Sequence, residues 1–307
     1  MLDTNGERIN AHGGCVLLQD GVYYWYGEIK KGRTMRVAQS TWENYHVPAG
    51  GISCYSSHDM INWKNEGVAL SVEKVDRSHD LHTSKVIERP KVIYNAQTRK
   101  YVMWMHIDLQ DYSLARSGVA FSDSPTGPFV YLRSVRPNNS EARDMTLFVE
   151  DDGSAFHFYA SENNATLHVC ELTDDYLNHT THTKRLLTGQ NREAPAVFKH
   201  GYNYYLISSG CTGWAPNKAT YAIAGHPMGD WLQFGNPCVG TDANITFGSQ
   251  GSFIFQSPSN ESQFVFMADR WNKTDLESSD YLWLPLTVSP TGVPVITLKN
   301  DWEPGCF

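Results

Sequence analysis

The stretch Val22-Tyr-Tyr-Trp-Tyr-Gly27 is an aromatic-rich run whose pattern returns four more times along the chain. The later copies are Tyr101-Val-Met-Trp-Met-His106, Ala155-Phe-His-Phe-Tyr-Ala160, Tyr204-Tyr-Leu-Ile-Ser-Ser209 and Phe264-Val-Phe-Met-Ala-Asp269. Aromatic and β-branched residues in short runs favour β-strands. Turn residues, such as Gln19-Asp-Gly21, come before the copies. A strand pattern that recurs in this way indicates a repeat architecture.

Further apolar runs flank each copy, so that each repeat contains about four strands. Around the first copy these runs are Cys15-Val-Leu-Leu18 and Ile52-Ser-Cys-Tyr-Ser-Ser57. Five four-stranded units predict an all-β, five-bladed β-propeller that forms a single domain over residues 1–307. The predicted blades span residues 12–65, 86–135, 144–185, 193–240 and 247–300. A two-sheet sandwich is the alternative, but it does not require a fivefold repeat.

Length and composition agree with one large all-β domain. The 307 residues include 9 Trp, 16 Tyr and 13 Phe, which is enough for a core and for a binding surface. A formal net charge of -8 argues against a nucleic-acid partner, because phosphate binding needs clustered Lys and Arg. No segment is apolar enough over sufficient length to predict a membrane span. We expect a monomer.

Six Asn-x-Ser/Thr sequons favour a glycosylated protein of the secretory pathway, either extracellular or in the Golgi lumen. They lie at Asn138, Asn164, Asn178, Asn244, Asn260 and Asn272. We expect any signal or anchor to lie outside this chain. Six cysteines permit one or two disulfides. Cys211 and Cys238 are the expected pair because both fall in loops of one predicted blade; the alternative is free, mostly buried thiols.

Polar residues stand at the start of the first strand of each predicted blade. In a propeller these strands line the axis, so their starts converge on one mouth of the central channel. The equivalent positions are His12, Glu88, Asp144, Glu193 and Gln250. Strand starts are also often polar simply because they are exposed. The similar contexts Glu88-Arg-Pro90 and Arg192-Glu-Ala-Pro195, each with a carboxylate beside an Arg and before a Pro, argue against that alternative.

Carboxylates crowded at one mouth cannot all ionise freely, so the pKa of at least one should rise. A carboxyl that stays protonated near neutral pH is what a general acid requires, and glycosidic cleavage needs such an acid and a second group opposite it. Rings such as Tyr112, Trp214 and Trp271 could stack on sugar faces. The pattern therefore favours a glycoside hydrolase in which one of these carboxyl groups is the acid. We expect no cofactor and no metal, because the two-group mechanism is complete without them.

Several short motifs are similar to those of glycoside hydrolase family 43, and within it to the exo-β-1,3-galactanase branch. They include Glu88-Arg-Pro-Lys-Val92, Thr212-Gly-Trp-Ala-Pro-Asn217 and Met267-Ala-Asp-Arg-Trp271. The resemblance runs from about residue 4 to residue 287. It implies a five-bladed propeller and inversion at the anomeric carbon. Family 43 also contains arabinanases and xylosidases, which share the fold but not these motifs.

The resemblance also implies roles for single residues. Asp144 matches the Asp that tunes the acid, and Glu193 matches the acid itself. His12 stands where the family has its base Asp, and the galactanase branch is similar in lacking that Asp. There, water activation is assigned to a Gln acting as its imidic-acid tautomer, and Gln250 matches that position. Because an amide is a poor base, Glu88 stays open either as the base or as a binder of the galactose.

The resemblance implies sugar-binding roles for a further set of residues, namely Glu28, Tyr112, Asn164, Thr212 and Trp214. His12 is also expected to bind the substrate. The expected substrate is β-1,3-galactan, as in the glycans of arabinogalactan proteins, with galactose or a β-1,6-branched unit as the product. One alternative is an α-L-arabinofuranosidase or β-xylosidase of the same fold. The other is a catalytically dead carbohydrate-binding propeller, which the missing blade-one Asp would favour.

Overall fold

The structure is a computed structural model that describes residues 1–38, 40, 42–257 and 260–299. Within these residues the chain forms five large β-sheets and one small hairpin. The first sheet contains β1 (His12–Gln19), β2 (Val22–Lys30), β5 (Ala49–Ser57) and β6 (Lys64–Leu70), with the small hairpin β3 (Met35–Arg36) and β4 (Tyr45–His46) inserted after β2. The second contains β7 (Val86–Asn95), β8 (Lys100–Asp108), β9 (Arg116–Ser122) and β10 (Val130–Val135). Both are antiparallel throughout.

The third and fourth sheets follow the same plan, and the fifth has one additional short strand paired in parallel at its outer edge. The third contains β11 (Met145–Val149), β12 (Ala155–Ser161), β13 (Thr166–Leu172) and β14 (His179–Leu186). The fourth contains β15 (Arg192–His200), β16 (Asn203–Gly210), β17 (Thr220–Ala224) and β18 (Leu232–Gln233). The fifth contains β19 (Cys238–Val239), β20 (Gln250–Ser257), β21 (Asn260–Arg270), β22 (Asp280–Val288) and β23 (Pro294–Thr297). Short 3₁₀ turns cover Pro137–Asn139, Ala243–Gly248 and Leu276–Ser278.

The first strand of each blade lies next to its counterparts in the adjacent blades. β1 contacts β7 and β20, β11 contacts β7 and β15, and β15 contacts β20, so the five inner strands close a ring. The predicted five-bladed β-propeller is therefore confirmed. The fifth sheet begins at Cys238, inside the range predicted for the fourth blade, and the predicted end at residue 300 lies outside the described residues. No helix in the described parts of the chain is long and apolar enough to cross a membrane.

Aromatic residues of the repeated strand pack between neighbouring blades. Trp25 of the first blade is fully buried, and its ring lies 4.7 Å from Trp283 and 4.8 Å from Tyr281 of the fifth blade. Phe198 of the fourth blade stacks on Tyr205 at 4.8 Å and lies 4.6 Å from Phe264 of the fifth. Such pairs add about 0.5–1.5 kcal/mol each beyond area burial. The aromatic repeat thus supplies the interfaces that hold the ring together.

Closure of the ring between the first and fifth blades uses side chains rather than a shared strand. The Tyr281 hydroxyl accepts a hydrogen bond from the Ala11 backbone N–H at 2.8 Å and donates to the Ile9 carbonyl at 3.0 Å. Arg8 donates to the Ser279 carbonyl at 3.0 Å. The two blades meet at a seam that no covalent connection crosses within the described residues.

The expected Cys211–Cys238 disulfide is wrong, because both cysteines are free. Cys238 is in β19, which pairs with β23 on the outer side of the fifth blade, and its side chain packs in an apolar cluster. Cys211 follows β16 of the fourth blade and faces the axial cavity described below. Closeness in sequence misled the prediction, since the chain passes into another blade between the two residues.

Candidate active site

A cavity of about 630 Å³ lies at the axial mouth formed by the starts of the inner strands. Nine of the ten residues predicted to be catalytic or sugar-binding line it: Glu28, Glu88, Tyr112, Asp144, Asn164, Glu193, Thr212, Trp214 and Gln250. The structure also brings residues that were not predicted to this cavity, among them Trp42, Arg89, His106 and Cys211. The tenth predicted residue, His12, is treated below.

Irregular backbone turns the polar side chains toward this mouth. β1, β7 and β15 each shift register immediately after the predicted position, between His12 and Cys15, Glu88 and Lys91, and Glu193 and Ala196. In each bulge the next residue has a positive φ: Gly13 at 59°, Arg89 at 54° and Ala194 at 49°. Positive φ in residues other than glycine costs about 1–3 kcal/mol and is concentrated at functional sites. The bulges of β7 and β15 direct Glu88 and Glu193 at the cavity, whereas the bulge of β1 places Gly13 against Glu28.

Glu193 is the carboxyl best suited to donate a proton. Burial, together with the charge of the nearby Asp144, raises the pKa of Glu193 to about 8, although Arg89 opposes the rise. Gln250 Nε2 donates to Oε1 of Glu193 at 3.1 Å, and Asn164 Nδ2 donates to Oε2 at 3.1 Å. Glu193 is therefore protonated near neutral pH and held in a fixed orientation at the cavity wall.

Arg89 connects Asp144 and Gln250, the two neighbours of Glu193. Its guanidinium pairs with Asp144 Oδ2 at 2.9 Å and donates to Gln250 Oε1 at 2.6 Å. Burial alone would lower the pKa of Arg89, but the charge of Asp144 outweighs burial and raises it. In the sequence, Arg89 stands out only as the neighbour of Glu88. The Glu-Arg-Pro motif was the feature of the sequence that could have indicated a role for Arg89. The positive φ that turns its side chain toward the cavity could not be predicted from the sequence.

Gln250 is held as an amide by its partners. Its Oε1 accepts from Arg89 and, at 3.1 Å, from the Trp271 indole N–H, and both groups can only donate. Its Nε2 donates to Glu193 and, at 3.0 Å, to Ser209 Oγ. An imidic acid would carry its proton on the oxygen that faces these two donors. The observed hydrogen bonds thus favour the amide over the tautomer that could act as a base.

Glu88 is an ionised carboxylate on another side of the cavity. Burial would raise the pKa of Glu88, but Lys30 and His106 outweigh burial and hold it well below its usual range. The Tyr112 hydroxyl donates to Oε1 at 3.1 Å, and Lys30 Nζ lies 3.4 Å from the same oxygen. Burial would also lower the pKa of His106, yet the hydrogen bond to Asp108 at 2.8 Å and the charge of Glu88, 3.7 Å away, raise it to about 9.

Glu28 reaches the same wall from β2 of the first blade. Its Oε1 lies 2.7 Å from the point where a Cβ on Gly13 would stand, so the carboxylate fills the space left by that glycine. Lys30 Nζ lies 2.8 Å from Oε2. Burial raises the pKa of Glu28 to about 7, although Lys30 opposes the rise. The cavity therefore sets two carboxylates, Glu28 and Glu88, beside one ammonium group.

The pattern of glycosyl hydrolases family 43 matches residues 23–279. The chain belongs to glycoside hydrolase family 43. Its fold is similar to that of a family 43 β-1,3-galactosidase with galactodeoxynojirimycin, with 42% identity, 98% of each chain covered and a TM-score of 0.88. It is also similar to exo-β-1,3-galactanases from Phanerochaete chrysosporium with galactose (35% identity, 96% of this chain and 64% of that chain, TM-score 0.84) and Clostridium thermocellum (38%, 96% and 63%, TM-score 0.83). No curated protein sequence matches significantly.

This family 43 glycoside hydrolase does not expose His12 to the cavity, so the expectation that His12 binds substrate is corrected. The ring is 1% exposed and stacks on Tyr281 at 4.6 Å. Its Nδ1 pairs with Asp269 Oδ1 at 2.9 Å, and its Nε2 lies 3.3 Å from the Tyr281 hydroxyl. The bulge after His12 leaves the imidazole at the seam with the fifth blade, where it joins β1 to β21 and β22.

Asn164 was predicted both as a glycosylation site and as a sugar-binding residue, and the first role is incompatible with its position in the glycosidase. Its Nδ2, the atom that would carry a glycan, donates to Glu193 inside the cavity. An attached glycan would remove that hydrogen bond and fill the space for substrate. The other five sequon asparagines are exposed, and their glycosylation stays a prediction.

Glu88, His106 and Asp144 form a group that could hold a metal ion, since one ligand atom of each lies within 4.8 Å of the others. Their charges already have partners in the enzyme. Lys30 and His106 pair with Glu88, and Arg89 pairs with Asp144. An ion would have to compete with these cations, so the donor set fits a metal poorly.

Proposed function

We propose that this enzyme is an exo-acting, inverting β-1,3-galactanase that releases galactose from the β-1,3-galactan chains of type II arabinogalactan. The observation that carries the hydrolytic part is Glu193, a carboxyl whose pKa is raised to about 8 at the wall of a cavity that also contains ionised Glu88. The galactan part is supported by the similar structures, which are described as β-1,3-galactosidases and exo-β-1,3-galactanases.

In the proposed reaction, Glu193 gives its proton to the glycosidic oxygen as the bond from C1 to that oxygen breaks. A water molecule attacks C1 from the opposite face and loses a proton to a carboxylate. Asp144 keeps Glu193 protonated through its negative charge. Between the two predicted bases, the hydrogen bonds of Gln250 support Glu88 as the proton acceptor, with Gln250 orienting Glu193.

Exo action is supported by the segment that carries β3 and β4, which crosses one side of the mouth. Trp42 lines the cavity with its ring 5.7 Å from Tyr112 of the second blade. Asn44 Nδ2 donates to the Gln110 carbonyl at 2.8 Å, and Glu43 pairs with Lys273 of the fifth blade. A mouth bridged in this way favours entry of a chain end over passage of a continuous chain.

The products of β-1,3-galactan test the proposal. We expect galactose, or galactose carrying a β-1,6 branch, as the first product, with no series of longer β-1,3 oligosaccharides. Proton NMR during the first minutes should show the α-anomer formed from the β-linkage. Release of arabinose or xylose from aryl glycosides instead would favour another family 43 activity, and binding of galactan without products would favour a carbohydrate-binding propeller.

Substituting Glu193→Gln tests the acid separately. We expect a loss of about 10³-fold or more in kcat on β-1,3-galactobiose, because the leaving sugar can no longer be protonated. β-D-Galactosyl fluoride needs little help from an acid, so its hydrolysis should fall by less than about tenfold. Equal losses on both substrates would contradict the assignment of Glu193, and Glu88→Gln serves as the comparison variant, since loss of a base should affect both substrates alike.

A further inference from the structure

Lys30, the last residue of β2, is a buried lysine that the predicted mechanism leaves without a role. Its side chain is about one-twelfth exposed, and its backbone is fixed by Asn10 at two points. Lys30 N–H donates to Asn10 Oδ1 at 2.8 Å, and Asn10 Nδ2 donates to the Lys30 carbonyl at 2.8 Å. The side chain therefore leaves the strand from a fixed position.

The ammonium of Lys30 lies between two carboxylates. Nζ is 2.8 Å from Glu28 Oε2 and 3.4 Å from Glu88 Oε1. Both glutamates are buried, and both line the cavity. Two buried like charges on one wall repel each other strongly unless a cation lies between them. Lys30 supplies that cation from within the protein.

The same ammonium also contacts two aromatic rings of the cavity. Nζ lies 5.5 Å from the ring centre of Trp214 and 5.7 Å from that of Trp271, and the two indoles meet edge to face at 5.1 Å. Distances below about 6 Å from a ring centre are within the range of cation–π attraction. Trp271 in turn donates to Gln250, which holds the acid.

We propose that Lys30 is a positioning residue that holds the Glu28 and Glu88 carboxylates at one wall of the cavity and fixes the Trp214 and Trp271 indoles against the same ammonium. The inference rests on the proposed galactanase function and adds a residue that sets the geometry and charge of its site. The other charged and titratable groups that face the carboxylate pair are Arg89, His46, His106 and Tyr112. All of them remain in place when only Lys30 is changed.

The test is the pH dependence of kcat/KM on β-1,3-galactobiose for the full chain. Lys30 lowers the pKa of both glutamates, so Lys30→Met should let them hold protons at higher pH. We expect the acidic limb of the profile to move up by at least about one pH unit, so that activity on that limb falls by about tenfold, with a smaller loss at pH 8. Lys30→Arg retains the charge and should leave the limb within about half a unit.

A second change checks the charge argument. The double variant Glu28→Gln with Lys30→Met removes one negative charge together with the cation, so its acidic limb should return toward that of Glu28→Gln alone. Lys91 provides the matched control, because it is an equally buried lysine whose ammonium donates to the Gly13 carbonyl at 2.8 Å rather than to a carboxylate. Lys91→Met should lower the melting temperature without moving the limb.

A Lys30→Met profile scaled down uniformly at every pH, with the limb unmoved, would overturn the inference and leave a purely structural role. Galactose binding keeps the test separate from the proposed function. If the wild type released no galactose from galactobiose, the proposed function would fail. Galactose affinity measured by calorimetry between pH 4 and pH 8 would then decide on Lys30, and the same pH dependence in wild type and Lys30→Met would refute it.

Discussion

The two mouths of the axial channel are formed by opposite ends of the same five inner strands, yet they differ in chemistry. At the strand starts, Glu28, Glu88, Arg89, Asp144 and Glu193 crowd one cavity. At the strand ends, a second cavity of about 620 Å³ is lined mainly by apolar side chains. Its buried lining includes Val16, Val92, Leu147, Val197 and Ile254, one from each inner strand.

Backbone regularity separates the two ends as clearly as side-chain type. The bulges of β1, β7 and β15 lie at the charged end, whereas the pairs beyond them keep a constant register to the end of each strand. In these three strands the shifts in register are thus confined to the end that contains Glu193. The comparison indicates that the regular, apolar ends provide stability for a reactive end that is costly to fold.

The largest effect is expected from Phe198→Ala at the apolar end of β15, the strand that starts with Arg192 and Glu193. Phe198 is 3% exposed and packs against Tyr205 and Phe264. Its truncation should lower the free energy of unfolding in urea by about 3–5 kcal/mol. Activity per folded molecule should stay within about twofold. A large fall in kcat of the folded protein would contradict the separation of stability and activity between the two ends. Phe198→Leu, which keeps a large apolar side chain, is the control.

Asp144→Asn, at the charged end, should lower activity rather than stability. Asp144 helps burial to raise the pKa of Glu193, so without its charge Glu193 ionises at lower pH. The wild type should lose activity as pH rises through about 8, because the acid must be protonated. In the variant this alkaline limb should move to lower pH, with kcat at pH 7 reduced ~100-fold. An alkaline limb that stays in place would show that Asp144 does not tune the acid.

Gly13→Ala should damage the charged end through shape. The new Cβ would stand 2.7 Å from Glu28 Oε1, at a backbone φ of 59°. We expect kcat/KM to fall by about 10–100-fold as the carboxylate is displaced. Gly201→Ala is the matched control, since Gly201 has a φ of 58° and open space around its Cβ position. Equal losses of activity in both variants would attribute the effect to backbone strain rather than to Glu28.

Trp42→Ala should have the smallest effect, because Trp42 lies at the rim of the charged mouth. We expect KM for β-1,3-galactobiose to rise about fivefold with kcat little changed, in keeping with the loss of roughly 1 kcal/mol of aromatic contact. Hydrolysis of β-D-galactosyl fluoride, which has no second sugar, should stay as it is. Trp42→Phe keeps a ring and serves as the control. A fall in kcat on both substrates would place Trp42 nearer to the reacting atoms.

The fold could be predicted from the sequence because one aromatic strand recurs five times and each copy serves the same blade interface. The site could be located for a related reason, since equivalent positions of a radial repeat meet at the axis. What could not be predicted depends on local rotation. Arg89 and Ala194 adopt positive φ although neither is a glycine. Neither residue type predicts that conformation.

The individual errors have separate causes. His12 stands at the expected position of its strand, but its ring turns toward Asp269 and the seam. Lys30 was not predicted, although its side chain is buried beside Glu28 and Glu88. Its burial depends on Asn10, a residue from another segment of the first blade. Cys211 and Cys238 were paired by distance along the chain, which a change of blade makes irrelevant.

The seam between the first and fifth blades has a consequence for how the enzyme loses activity. His12, Tyr281 and Trp271 are neighbours there, and Trp271 holds Gln250 against the acid. At every other junction the polypeptide chain connects the two neighbouring blades covalently. The seam is therefore the junction at which two blades can separate most easily. Opening by a few ångströms would separate Lys30 of the first blade from Trp271 of the fifth while all five sheets remained intact. Activity therefore depends on closure of the ring. We expect heat or denaturant to inactivate the enzyme before any single blade unfolds.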